Sequence, residues 1–482
     1  MNWFIFWIII YLILIVYLTV RHIKSLDLET YLVNNRNTRT LPLVFTTLAT
    51  FVGGGTSIGL MAMGYESGFA AIGIGVAYVI GFFILSFFAK KIHTIGVLQN
   101  IYSFPHFLNK KYTKKTRPLF SRLFSSSVSG INIFIFFFLL AAQFVGMASL
   151  LKFSFDIGYQ TAAIISCIVV ITYTAFAGLS GVIMTDMLQF IVILIMIILI
   201  FIPGIYVDTN ALKLLDELPK EMLNGTFYGL IFLIALPVFI APSVLVRMDI
   251  WQRILAAKNQ KTAKKVSIIS GLGMLPFYIL FPLVGMAIRI TTDSEIEPKY
   301  VAYLFLEKHC NEFVLGFAVV GLLSALMSSG DSFLNIISIS AVKDFLGWRR
   351  SKKTPSKKST QNNIRITTFV FGIIGMLIAI IFPKIVDLMV VGIGTIVIFV
   401  PVTFLALIKK EVYKFRFAAI SSILSGFFVN LAFFIFGIIN PEKFEPKSSF
   451  IPAFIVAGIA LMIGMLFLKK NEKIKHIFRR LR

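Results

Sequence analysis

Apolar runs of about 18 residues or more recur from one end of this chain to the other, and each is long enough to cross a bilayer as a helix. Thirteen can be counted, at roughly 3–20, 42–64, 70–89, 124–150, 160–178, 181–203, 227–246, 266–290, 313–342, 366–382, 385–408, 417–438 and 451–468. The 482 residues are 58% hydrophobic and only 14% charged, so no soluble domain of any size fits between the runs. Inside a bilayer the backbone must satisfy its own hydrogen bonds. The chain therefore reads as an all-α polytopic membrane protein, a single membrane domain over 1–482.

A net charge of +24 would suit a nucleic-acid partner, but its distribution argues against one. The segments 21–40, 90–123, 247–265, 343–365, 409–416 and 469–482 hold 37 of the 46 Lys and Arg. These are alternate loops between spans, which is the positive-inside pattern. It places the N-terminus outside and the C-terminus in the cytoplasm of a plasma-membrane protein, with 247–265 as a cytoplasmic loop. The basic face is expected to rest on anionic lipid headgroups. No basic stretch precedes the first run, and Arg21, His22 and Lys24 follow it, so it reads as an anchor rather than a cleaved leader. Cys167 and Cys310 give no disulfide framework, and the five histidines have no metal-ligand spacing.

Two spans are interrupted. The second carries Gly53-Gly54-Gly55, and the seventh carries Pro237 and Pro242. Glycine weakens a helix, and proline removes a donor and clashes with the preceding turn. Irregular backbone at membrane depth is tolerated where it is buried in protein or lines a cavity. The interruptions lie five spans apart, which points to inverted repeats with a central binding site. The repeats are expected over 41–203 and 227–408. Residues 3–40 form a peripheral first helix and cytoplasmic loop. Residues 409–482 form two peripheral helices and a basic tail.

Ser324, Ser328, Asp331 and Asn335 step by four, three and four, so they form one polar stripe along a helix that is otherwise apolar. A second intramembrane acid, Asp186, is followed three residues on by Gln189. By sequence no Lys or Arg stands inside the membrane to neutralise either acid. A bound cation or a proton would. Two plainer readings stay open: Asp186 as an interfacial acid near a helix N-terminus, and Asp331 as a structural hydrogen-bonding group. Sodium takes hard oxygens, as other hard cations do. The stripe supplies hydroxyls, and an unwound segment from Ala49 to Gly55 would supply carbonyls.

Four stretches, in order, resemble the sodium:solute symporter family. They are Thr47 to Thr56 around the glycines; Ala177 to Gln189; Asp249 to Lys258, containing Gln252-Arg253; and the stretch containing Ser328-Ser329. The resemblance covers roughly 40–345. It implies a leucine-transporter-type fold: a five-plus-five inverted-repeat core with one N-terminal and two C-terminal peripheral helices. It implies a main sodium site of carbonyls from Ala49, Val52 and Ala325 with hydroxyls from Ser328 and Ser329. It also suggests a second cation site at Asp186, Ser328, Asp331 and Ser332, although Asp331 stands where such members have a serine. The Gln252-Arg253 segment is expected at the inner end of the core as a structural or gating element, or else as a plain solvated basic loop.

The glycine and serine runs resemble choline-transporter-like members somewhat more than sugar or proline transporters. A quaternary amine would need an aromatic cage. Candidate solute contacts are Phe51, Gly53, Thr56, Tyr78, Phe137 and Gln143, and no Arg lies in spans three or four to grip a carboxylate. The expected function is sodium-coupled import of a small organic solute by alternating access. The expected partners are that solute, Na+ and membrane lipid, with no nucleic acid and no stable protein partner required. The alternatives are proton coupling through Asp186 and Asp331, or a channel or membrane sensor. No nucleophile–base pair or cofactor motif suggests an enzyme.

Overall fold

The computed structural model describes residues 2–23, 28–114, 116–210, 213–292, 295–345 and 357–480. Among them, ten helices are long and apolar enough to cross a membrane, and two bent pairs raise the number to twelve. The element Tyr159–Thr209 has 51 residues. Straight, it would measure about 76 Å against about 30 Å of hydrocarbon. It is not straight: Gly178 leaves the helical path with φ 58° and ψ −175°. That conformation belongs to glycine, because a side chain there would be strained. The element therefore accounts for both the 160–178 and the 181–203 runs, and thirteen apolar segments are present as the hydropathy pattern requires.

The helices used below are α1 (Trp3–Ile23), α2 (Thr40–Phe51), α3 (Leu60–Ser67), α4 (Ala70–Leu98), α5 (Phe104–Tyr112), α6 (Pro118–Phe155), α7 (Tyr159–Met196), α8 (Leu230–Ala235), α9 (Met248–Ala256), α10 (Gln260–Thr291), α11 (Glu312–Ile339), α12 (Lys357–Ile381), α13 (Ile385–Ile396), α14 (Val400–Ile408), α15 (Arg416–Ile439) and α16 (Phe450–Arg480). Helix α11 packs on α7 and α6, α10 on α4 and α3, and α2 on α7. Within its apolar stretch the α11 span is 78% buried, whereas α1 and the last span are each 17% buried. Protein therefore surrounds the polar stripe of α11, while α1 and α16 lie at the rim, where their Ile and Phe side chains face lipid.

Both interruptions are real bends. The second span turns by 55° between Thr40–Phe51 and Gly55–Ser67. The seventh turns by 50° between Leu230–Val246 and Met248–Ala256. The second bend corrects the sequence reading. Pro237 and Pro242 loosen the helix into a wide turn over Leu236–Ile240 and a tight one over Ala241–Val246, but the chain changes direction at Arg247, which is extended at φ −70° and ψ 125°. The broken span then continues through Ala256.

Consequently the expected cytoplasmic loop 247–265 is split. Lys258, Lys261, Lys264 and Lys265 are exposed, but Arg247, Asp249, Trp251, Gln252 and Arg253 are buried within the bundle. The solvated-loop reading of Gln252-Arg253 is therefore wrong. Additive charge counting places arginines outside the membrane, whereas partners from other helices hold these two inside. Past the bend the chain is pinned beside the start of α2: Thr38 donates to the Ala256 carbonyl at 3.0 Å, and Lys258 donates to the Thr38 carbonyl at 2.9 Å.

Candidate ion and solute site

The helical ladder of α2 ends where the Val52 N–H donates to the Leu48 carbonyl at 3.0 Å. In a continuous helix, Gly54 N–H would bond the Thr50 carbonyl. Side chains from two other helices take the places of these partners. Gly54 N–H donates to Gln143 Oε1 at 2.7 Å, and Ser329 Oγ donates to the Thr50 carbonyl at 2.7 Å. Beyond the break, the Gly53 carbonyl accepts from Thr56 N, Ser57 N and Ser57 Oγ at 2.9, 2.8 and 3.0 Å. The break is thus bridged by side chains of α6 and α11.

Of the five residues expected to hold sodium, Ser329 sits against the break, and Ala49 and Val52 flank the Thr50 carbonyl it bonds. The Ala325 carbonyl also accepts from Ser329 Oγ, at 3.3 Å. Ser328 donates to Asp186 Oδ1 of α7 at 2.5 Å. All five are buried.

The residues named for a second cation divide into two groups. Asp186 Oδ2 accepts from Thr46 and lies 3.5 Å from Arg253 Nη2. The same Arg253 nitrogen donates to Ser332 Oγ at 2.7 Å, Thr50 Oγ1 at 2.9 Å and Thr46 Oγ1 at 3.1 Å. Arg253 therefore joins α2, α7, α9 and α11. It corrects the expectation that no intramembrane Lys or Arg faces Asp186. That expectation failed because Arg253 stands 67 positions away in sequence, on a segment read as a loop. Asp331 points elsewhere: its Oδ2 accepts from the Tyr173 hydroxyl at 2.9 Å, while Oδ1 has no partner among the described residues.

Beside this cluster lies a cavity of about 140 Å³. Phe51, Gly53, Thr56, Tyr78 and Gln143 line it, as do Thr50 and Ser329. Five of the six expected solute contacts therefore share one wall with the break. Phe137 does not: its ring packs against Phe371 of α12, with centroids 4.9 Å apart, outside the cavity. Periodicity did not say which face of α6 turns inward.

The sequence reading missed Arg247, Tyr278, Phe333, Met389 and Lys447, which also line the cavity. Tyr78 and Tyr278 stack at 5.7 Å with a 10° interplanar angle. Arg247 sits 4.3 Å over the Phe51 ring. The one available signal for Arg247 was its position five residues after Pro242, at the end of a broken span.

The family model for the sodium:solute symporter family matches residues 31–419, most of the chain. The chain belongs to that family. Membership makes it a multi-pass membrane transporter coupled to sodium, not an enzyme. A sodium/proline symporter of Staphylococcus aureus is 24% identical over 372 residues, covering 73% of this chain and 70% of the relative. A sodium/proline symporter 2 of Staphylococcus saprophyticus is 27% identical over 230 residues, covering 45% of this chain and 44% of the relative. Among solved structures, a Na+-coupled sialic acid symporter in a substrate-bound outward-open state has a TM-score of 0.75 at 18% identity, covering 95% of this chain and 96% of that one. Mhp1, a nucleobase-cation-symport-1 family transporter in a closed conformation, has a TM-score of 0.57 at 16% identity, covering 91% and 94%. These likenesses establish the leucine-transporter-type fold of the symporter.

Proposed function

We propose that this symporter imports a small organic solute through the cavity, driven by one sodium ion held where α2 breaks against α11. The Ala49, Val52 and Ala325 carbonyls and the Ser328 and Ser329 hydroxyls would surround the ion, with 41–203 and 227–408 as the two rocking repeats. One observation carries this reading. The missing Gly54–Thr50 helical bond is replaced by Gln143 and Ser329, so the hydroxyl of an α11 serine already meets a freed carbonyl of the break. Sodium entering there would exchange one hydrogen bond for several hard-oxygen contacts. Its binding would tie the two repeats together and shift the population of states.

A second cation finds less support. Arg253 already stands against both Asp186 and Ser332 with a fixed positive charge. The concentration of Lys and Arg at the opposite end of the bundle supports an outside opening for the cavity, with the N-terminus also outside.

The earlier choline-like reading is not favoured. No Asp or Glu lines the cavity among the described residues, and a guanidinium already covers the Phe51 face. The compared relatives are named for proline, so L-proline is the first probe.

The experiment is uptake of labelled L-proline, and of a panel of other solutes, into proteoliposomes under an inward sodium gradient. Uptake should be hyperbolic in sodium, and Ser329→Ala should raise the half-saturating sodium at least tenfold. Uptake that persists when N-methylglucamine replaces sodium would refute sodium coupling, as would a Ser329→Ala variant with unchanged sodium dependence.

A further inference from the structure

Arg247 is the charged group at the inner wall of the cavity, and its surroundings fix what it can hold. Asp249 grips one edge of the guanidinium: Nε donates at 3.1 and 3.2 Å to the two carboxylate oxygens, and Nη2 donates at 2.6 Å. A guanidinium has five N–H donors in a rigid planar fork. Nε and one N–H of Nη2 are used by Asp249, which lies behind the wall and is itself buried. The plane is further held by Phe51 beneath it, with the guanidinium carbon 4.3 Å from the ring centroid. The Tyr78 hydroxyl reaches the same guanidinium.

Lys447, the other cation on the cavity wall, stands among the acids Glu66, Glu445 and Asp387. None of those acids lines the cavity. The cavity wall thus offers the remaining N–H donors of a guanidinium whose carboxylate partner, Asp249, does not line the cavity. A quaternary ammonium has no N–H to donate and would find no carboxylate among the described residues of that wall to pair with. The Phe51 face it would stack on is already taken by the arginine.

We propose that Arg247 is the specificity-determining group of the solute site and that it takes a carboxylate. The solute class is a small organic acid with a mostly apolar body, for which an amino group is not required. The body packs on the stacked Tyr78 and Tyr278 rings and on Met63, Leu236 and Phe333, while the carboxylate meets the free edge of Arg247 in a charge-assisted pair. Thr50 and Ser329 line the same cavity, so a sodium ion held at the break adds a second positive charge on the wall. Sodium and carboxylate would then each raise the other's affinity by the same factor. This inference rests on the sodium-symport reading.

The test uses purified full-length protein and thermal shift, in sodium chloride and in N-methylglucamine chloride. The probes are L-proline, cyclopentanecarboxylate, L-prolinamide and choline. L-Proline and cyclopentanecarboxylate should both raise Tm, and more so in sodium. L-Prolinamide and choline should not. Arg247→Gln should weaken binding of both acids at least tenfold, and so should Arg247→Gln/Asp249→Asn, which removes the ion pair as a unit and guards against a folding defect from a bare Asp249. Lys261→Gln, exposed on α10 away from the cavity, should leave it within about twofold. Three results would overturn the assignment: an amide or choline shift equal to that of the acid, acid binding that survives in both Arg247 variants, or no shift from either acid. A wild-type protein that sodium itself fails to stabilise would instead count against the sodium reading.

Discussion

A methyl group at Gly53 tests the geometry of the break directly. An added Cβ would lie 2.1 Å from Ser329 Oγ, 2.7 Å from Ser329 Cβ and 2.8 Å from Gln143 Oε1. Carbon atoms rest at about 3.5–4.0 Å, so α11 and the break must separate by about 1 Å. That shift carries Ser329 beyond hydrogen-bond reach of the Thr50 carbonyl, now 2.7 Å away. Overpacking of this kind costs about 1–3 kcal/mol. If sodium needs the closed arrangement, that cost appears as a loss of sodium affinity of at least about fivefold, at 1.4 kcal/mol per decade. Gly59→Ala is the matched control, because its Cβ meets only the Gly54 carbonyl, at 3.4 Å. The assay is a sodium titration of Tm on purified protein, followed by sodium-dependent uptake in proteoliposomes. A Gly53→Ala variant whose half-saturating sodium stays within about threefold of wild type would show that the ion does not depend on this contact.

Two further outcomes follow from buried charge. Arg253→Gln leaves Asp186 without its cation and should destabilise the protein by about 3–5 kcal/mol, while Arg253→Gln/Asp186→Asn should recover part of that loss; equal unfolding midpoints for the two variants would show that the pair is not coupled. His106, on α5 outside the membrane spans, is pushed down to about 4 by burial and by nearby Lys110, Lys343 and Arg36. The unfolded chain takes its proton near pH 6.5 and the folded chain only near 4, so the stability from this neutral imidazole is full above 6.5 and is lost as pH falls through that window. His106→Phe should flatten Tm against pH between about 6.5 and 4; an unchanged slope would assign the effect to another group.

Much of the architecture was legible because hydropathy is local and additive. Thirteen apolar runs follow from residue type alone, and the glycines at 53–55 marked a break that appears as a 55° bend. The spacing of Ala325, Ser328, Ser329 and Ser332 put them on one side of α11, and contacts to α2, α7 and α9 run along that side. The second break was harder to place. Two prolines pointed to it, but the turn falls at Arg247, whose side chain is paired with Asp249.

The sequence by itself determined the membrane class, the two interruptions five spans apart and a stripe of hydroxyls along one helix. Periodicity assigns a residue to a face of its helix but does not say which helix that face meets. Only the tertiary structure decided that Arg253 pairs with Asp186, that Asp331 turns to Tyr173, that Phe137 packs outside the cavity and that Arg247 stands within it. The physical reason is the same in each case. A charge or ring at membrane depth is placed by the partners that compensate it, and those partners lie on helices far away in the chain.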